Sequence, residues 1–134
     1  MRTSRVLFLV VAVLAAAVVA GVANAHTGSF DTKLSIKRSP DGRVDTGTVV
    51  KFSGRLRSGK DACTNGSKIR LIEIGVGVVG RDRTNNNGRY KIKERVDETA
   101  RFRTRYPGEV LNATHPHNHT CESSRSEKIE VRVG

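Results

Sequence analysis

The chain has 134 residues, 37% of them hydrophobic, which suffices for one domain with a modest core. Its 24 Lys and Arg against 13 Asp and Glu give a formal charge of +11, which bears on solubility and on attraction to polyanions and not on the fold. The two cysteines exclude a site built on CxxC spacing, and neither a phosphate loop nor a Ser/His/Asp ordering points to an enzyme.

Residues 1–25 read as a cleavable signal peptide. Arg2 and Arg5 make a basic start, Val6 to Val22 is apolar apart from Gly21, and Ala23-Asn24-Ala25 is a small-x-small cleavage box. The apolar run is also long enough to serve as an uncleaved anchor. The cleavage box directly after it, with no basic stop-transfer cluster, favours removal. Cutting after Ala25 leaves one domain, residues 26–134, that starts at His26 and carries 22 basic against 13 acidic side chains, a net charge of +9. Such a domain is expected to be secreted or otherwise extracytoplasmic. In that compartment Cys63 and Cys121 are expected to form a disulfide.

After the signal the sequence alternates with a period of two, interrupted by turn residues every eight to twelve positions. Phe30 to Lys37 is a first strand, with Leu34 and Ile36 on one face, and Ser39-Pro-Asp-Gly42 is a turn. Thr48 to Leu56 is a second strand, with Val50, Phe52, Gly54 and Leu56 inward. A polar loop, Ser58 to Ser67, carries Cys63. Lys68 to Gly75 is a third strand, and Val76 to Thr84, weakened by Gly77 and Gly80, is a fourth at a sheet edge. Asn85-Asn-Asn-Gly88 is a tight hairpin turn leading into Arg89 to Arg95, with Tyr90 and Ile92 inward. Ala100 to Tyr106 is the sixth strand, ended by Pro107-Gly108. A loop with the histidines and Cys121 leads to Glu127 to Val133. About seven short strands predict an all-β, immunoglobulin-like or prealbumin-like antiparallel sandwich.

Val50-Lys-Phe-Ser-Gly-Arg-Leu56, Cys63, Lys68-Ile-Arg-Leu-Ile-Glu73, Thr84-Asn-Asn-Asn-Gly-Arg-Tyr-Lys91, Ala100-Arg-Phe-Arg and His119-Thr-Cys121-Glu-Ser-Ser-Arg-Ser-Glu127 follow one another over most of residues 48–133. In this order they resemble the carboxypeptidase-regulatory-like and transthyretin-like sandwich modules of secreted proteins. The T-x-x-x-G-x-Y hairpin is the most telling piece. Asn stands where transthyretin-like members carry Asp, a departure that argues against close kinship. The resemblance implies a non-catalytic adhesion, stalk or ligand-binding unit and carries over no catalytic residue.

Two constellations could carry binding chemistry. Arg89, Lys91, Lys93 and Arg95 share one face of their strand, and Arg101, Arg103 and Arg105 share one face of theirs. If the two strands pair, one sheet face collects seven cations. Like charges opposed on a sheet either stay well solvated or meet an anion. The expected partner is an acidic cell-surface or extracellular polymer, or another secreted protein. Base-specific reading of nucleic acid is not expected, for want of a recognition helix and of aromatics on the basic face.

The second constellation is His115-Pro-His117-Asn-His119, whose spacing of two puts the imidazoles on one side of an extended segment. With the α-amine and ring of His26 these are candidate ligands for copper or zinc. The N-terminal His26 resembles that of copper-carrying periplasmic sandwich proteins and copper polysaccharide monooxygenases, and it alone carries over. Sequons at Asn65, Asn112 and Asn118 lie in expected loops.

Overall fold

Alternation of apolar and polar residues gives each long strand one buried face, and such strands pair edge to edge. The computed structural model of the chain describes residues 28–111 and 119–134. It is all-β, with several antiparallel sheets. Its strands are β1 (Gly28–Phe30), β2 (Thr32–Leu34), β3 (Lys37–Ser39), β4 (Thr48–Ser58), β5 (Lys68–Glu73), β6 (Gly77–Arg83) and β7 (Arg89–Val96). They continue with β8 (Ala100–Tyr106), β9 (Glu109–Leu111), β10 (His119–Cys121), β11 (Ser124–Arg125) and β12 (Ile129–Val131). One turn of 3₁₀ helix, Asp61–Cys63, interrupts the loop before β5.

Strand β4 is the middle of one sheet. The short strands β2 and β3 pair antiparallel along one of its edges, and β7 runs along the other from Thr48 opposite Val96 to Arg55 opposite Arg89. Strand β8 anchors the second sheet, with β11 and β12 on one side, β5 on the other, and β6 outermost beyond β5. A third, small sheet joins β1 parallel to β10 and β10 antiparallel to β9.

The inner faces of the two larger sheets meet. Phe52 of β4 packs on Phe102 of β8 with ring centroids 4.8 Å apart, and Val50, Leu56, Ile69 and Leu71 are fully buried around them. Burying such side chains contributes about 1.5–3 kcal/mol each. The polar atoms enclosed with them are paired. Tyr90 Oη donates to the Ser35 carbonyl at 2.6 Å and lies 2.9 Å from Thr104 Oγ1. The buried Ser126 turns its hydroxyl inward, accepting from Thr104 N at 2.8 Å and donating to the Glu127 carbonyl. That inward turn separates β11 from β12.

The expected inward set of β4 is observed, Gly54 included. A Cβ there would stand 2.0 Å from the Ser35 carbonyl oxygen, so only glycine lets the β2–β3 edge approach. The sulfurs of Cys63 and Cys121 are 2.01 Å apart, at disulfide distance, with Cα atoms separated by 5.5 Å.

Two expectations need correction. The single strand over 30–37 is three pieces. Phe30 bonds to β10, where Glu122 N donates to the Phe30 carbonyl at 2.9 Å, while Leu34 belongs to the β4 sheet. Thr32 Oγ1, 2.7 Å from both the Glu122 carbonyl and Ser124 Oγ, holds the crossover between sheets. Leu34 and Ile36 are nonetheless both buried.

The second correction concerns residues 85–88. The turn forms: Asn85 Oδ1 accepts from the backbone N–H of Asn87 at 2.9 Å and Arg89 at 3.0 Å, and Gly88 takes φ 74°. The strands it joins do not pair as a hairpin, because β7 is taken by β4 and β6 by β5. Asp82 Oδ2 accepts Lys91 N–H at 2.8 Å where the strands part.

Candidate polyanion-binding faces

The separation of β7 from β8 overturns the expected joint face of seven cations. Their core sides face each other, as the Tyr90–Thr104 contact shows, so their basic sides point in opposite directions. Arg89, Lys91 and Lys93 lie on the outside of the β4 sheet, whereas Arg101, Arg103 and Arg105 lie on the outside of the β8 sheet.

Pairing with β4 enlarges the first face. Outward positions on β2, β3 and β4 add Lys33, Lys37, Lys51, Arg55 and Arg57 to Arg89, Lys91, Lys93 and Arg95, nine exposed cations in all. No Asp or Glu occupies an outward position on these four strands. Three like pairs stand directly opposite one another: Lys51 with Lys93, Arg55 with Arg89, and Lys33 with Arg57. Opposed like charges cost stability, so such a face gains when an anion covers it. The offsets lie at the margin, where Arg95 pairs with Asp97 at 3.0 Å and Arg55 Nε donates to the Asn87 carbonyl. Arg55, Arg57, Arg89 and Lys91 line a shallow groove at the end of this face, closed by Asp82 and Arg83 from the edge strand β6 of the other sheet.

The second face carries a straight row. Arg125 of β11 stands opposite Arg105 of β8, Arg105 opposite Arg70 of β5, and Arg70 opposite Arg81 of β6. Two of the four flank inward core positions on their strands: Ile69 and Leu71 around Arg70, Thr104 and Tyr106 around Arg105. Arg103, the next outward position on β8, is half-buried and its Nε–H has no acceptor among the described residues. Among the described residues the acid at an outward strand position of this face is Glu130, which faces Arg101 across the ladder and bonds to Arg132, while Asp82 of β6 lines a groove with Arg70 and Arg81. Arg132 holds the Glu130 carboxyl below the usual carboxylate range, first by that hydrogen bond and then by its charge.

Burial also shifts the titratable groups between the sheets. Burial pushes the Tyr90 hydroxyl up to about 12, partly offset by its hydrogen bond to Thr104, and burial raises Tyr106 further with help from the charge of Glu109. Glu94, at the margin between the sheets, is raised by burial and then by the nearby Glu73.

Of the histidines, His26, His115 and His117 lie outside the described residues. His119 sits in β10, its ring 5.6 Å from that of Phe30, with Gly28 directly opposite in parallel register. No group of three or more His, Cys, Asp or Glu comes together to hold a metal among the described residues. Asn65 is exposed in the Cys63 loop, while Asn112 and Asn118 fall outside the described residues. Alternation revealed which strand positions are basic; it could not reveal Arg70, Arg81 and Arg125 as one row, because the row exists only through pairing. No protein-family model matches the sequence, and no curated protein matches it.

Proposed function

We propose that the chain is an exported, non-enzymatic immunoglobulin-like sandwich module that binds anionic polymers through the outer face of the β4 sheet. The observation that carries this reading is the nine outward cations with no carboxylate among them and three like pairs directly opposed. The strand order supports the immunoglobulin-like assignment: β2/β3–β4–β7 lies against β11/β12–β8–β5–β6. The resemblance to carboxypeptidase-regulatory-like and transthyretin-like modules gains a physical basis in Thr84, Gly88 and Tyr90, all buried around the turn. Export rests on the leader and on the disulfide-distance cysteines.

Retention of the mature chain on immobilised polyuronate is expected to fall as salt rises. Lys51→Ala with Lys93→Ala is expected to lower the slope of log affinity against log salt by roughly one per cation removed. Retention indifferent to both salt and substitution overturns the reading.

One observation favours a second reading, a copper or zinc site using His26, His115, His117 and His119. The parallel pairing of β1 with β10 sets Gly28, two residues after His26, opposite His119. An N-terminal amine and ring near the histidine loop is what such a site needs. Titrating Cu(II) or Zn(II) into the form beginning at His26, against one with an extra residue ahead of it, is expected to show tighter binding by the former. Equal weak binding by both removes this reading.

A further inference from the structure

We propose that the protein bridges two chains of acidic polysaccharide, one on the β4 face and a second along the row Arg125–Arg105–Arg70–Arg81. The inference rests on the polymer-binding reading above and extends it from one binding surface to two. The two sheets bury their inner faces against each other, so their outer faces look away from one another, and no single extended polymer segment lies flat on both. Either face alone gives adhesion. The pair gives cross-linking.

The arginine row has the features of a track for a linear polyanion. Its members follow one another across four strands in direct register, at about 4.8 Å per step, so the row is about 14 Å long. None of the four makes an ion pair with a carboxylate among the described residues. Guanidinium groups fork bidentately onto carboxylate or sulfate, so four of them in file fit a chain that repeats such groups. Lys68 opposite Arg83 extends the basic surface on one side, and Arg103, the next outward position along β8, extends it on the other.

The chemistry favours an acidic polysaccharide over nucleic acid. Tyr90, Phe52, Phe102 and Tyr106 are all buried, leaving no aromatic ring on either outer face for a base to stack upon. No α-helix is present among the described residues to enter a groove. What remains is charge density on two flat, opposed surfaces.

The test is sequential capture. Polyuronate is immobilised, saturated with the mature chain, washed, and offered a second, labelled polyuronate in solution. The unsubstituted protein is expected to bind the first polymer and hold the second. Arg70→Gln with Arg105→Gln keeps the side-chain stems in place and is expected to retain first binding within a few-fold while lowering capture at least tenfold. Lys51→Gln with Lys93→Gln is expected to lower capture at least tenfold from the other side, with a shallower salt dependence of first binding. Arg43→Ala with Lys60→Ala removes the same charge from loop positions that belong to no strand of either face and is expected to leave capture unchanged.

First binding with no capture overturns bridging and leaves the single-face reading standing. No first binding at all overturns that reading and bridging together. Equal loss of capture in the loop variant shows general charge neutralisation and overturns the assignment to the row. Capture of single-stranded RNA but not of polyuronate overturns the choice of polysaccharide.

Discussion

The Cys63 end of the molecule and its two outer faces solve opposite problems with similar polar material. Around Cys63 the buried polar atoms are matched one for one. Ser67 Oγ donates to the Cys63 carbonyl at 2.7 Å, Thr84 Oγ1 accepts from Ser67 N at 2.8 Å, and the same hydroxyl donates to the Thr64 carbonyl at 2.6 Å. On the outer faces, cations stand opposite cations with few partners. The first region is closed upon itself and stabilises the fold, whereas the second carries repulsion that an external anion would relieve. A lean core can tolerate the second because the first, with the Cys63–Cys121 link, compensates.

The largest expected effect breaks that compensation. Cys63→Ala with Cys121→Ala frees a loop of sequence separation 58 and is expected to cost roughly 4 kcal/mol, read as a lowered midpoint in chemical denaturation. An unchanged midpoint would show that the polar network alone suffices. Next, Thr84→Val leaves Ser67 N–H without its acceptor and the Thr64 carbonyl without its donor. The expected cost is about 1–3 kcal/mol by the same measurement, with polymer binding intact at temperatures where the fold holds. The smallest effect has the opposite sign. Lys93→Glu places a carboxylate opposite Lys51 and is expected to stabilise the fold by about 0.2–1 kcal/mol at low salt, while weakening retention on polyuronate. Loss of stability there would mean that the opposed lysines do not repel appreciably in water.

Much of the inside was legible from alternation alone. Val50, Phe52 and Leu56 on β4, Tyr90 and Ile92 on β7, and Phe102 and Tyr106 on β8 are all buried, as a period of two requires. The turns at Pro40–Gly42 and Asn85–Gly88 followed from residues that accept positive φ. Partner choice was not legible, because alternation specifies the side on which a residue lies and leaves its neighbour open. So Arg89 and Arg101 could be set on outward faces but not on opposite ones. The break in the first strand depends on Glu122 and Ser124, about ninety positions away, and no local pattern encodes it.

The parallel ladder between β1 and β10 sets the order in which the protein can be completed. Among the described residues, the strand pairing of residues 28–30 is with residues 119–121, about ninety positions on. Pairings so distant in sequence form slowly. While the polypeptide emerges from whatever makes or moves it, residues 28–30 stay unzipped, and they are stitched in among the last pieces rather than the first.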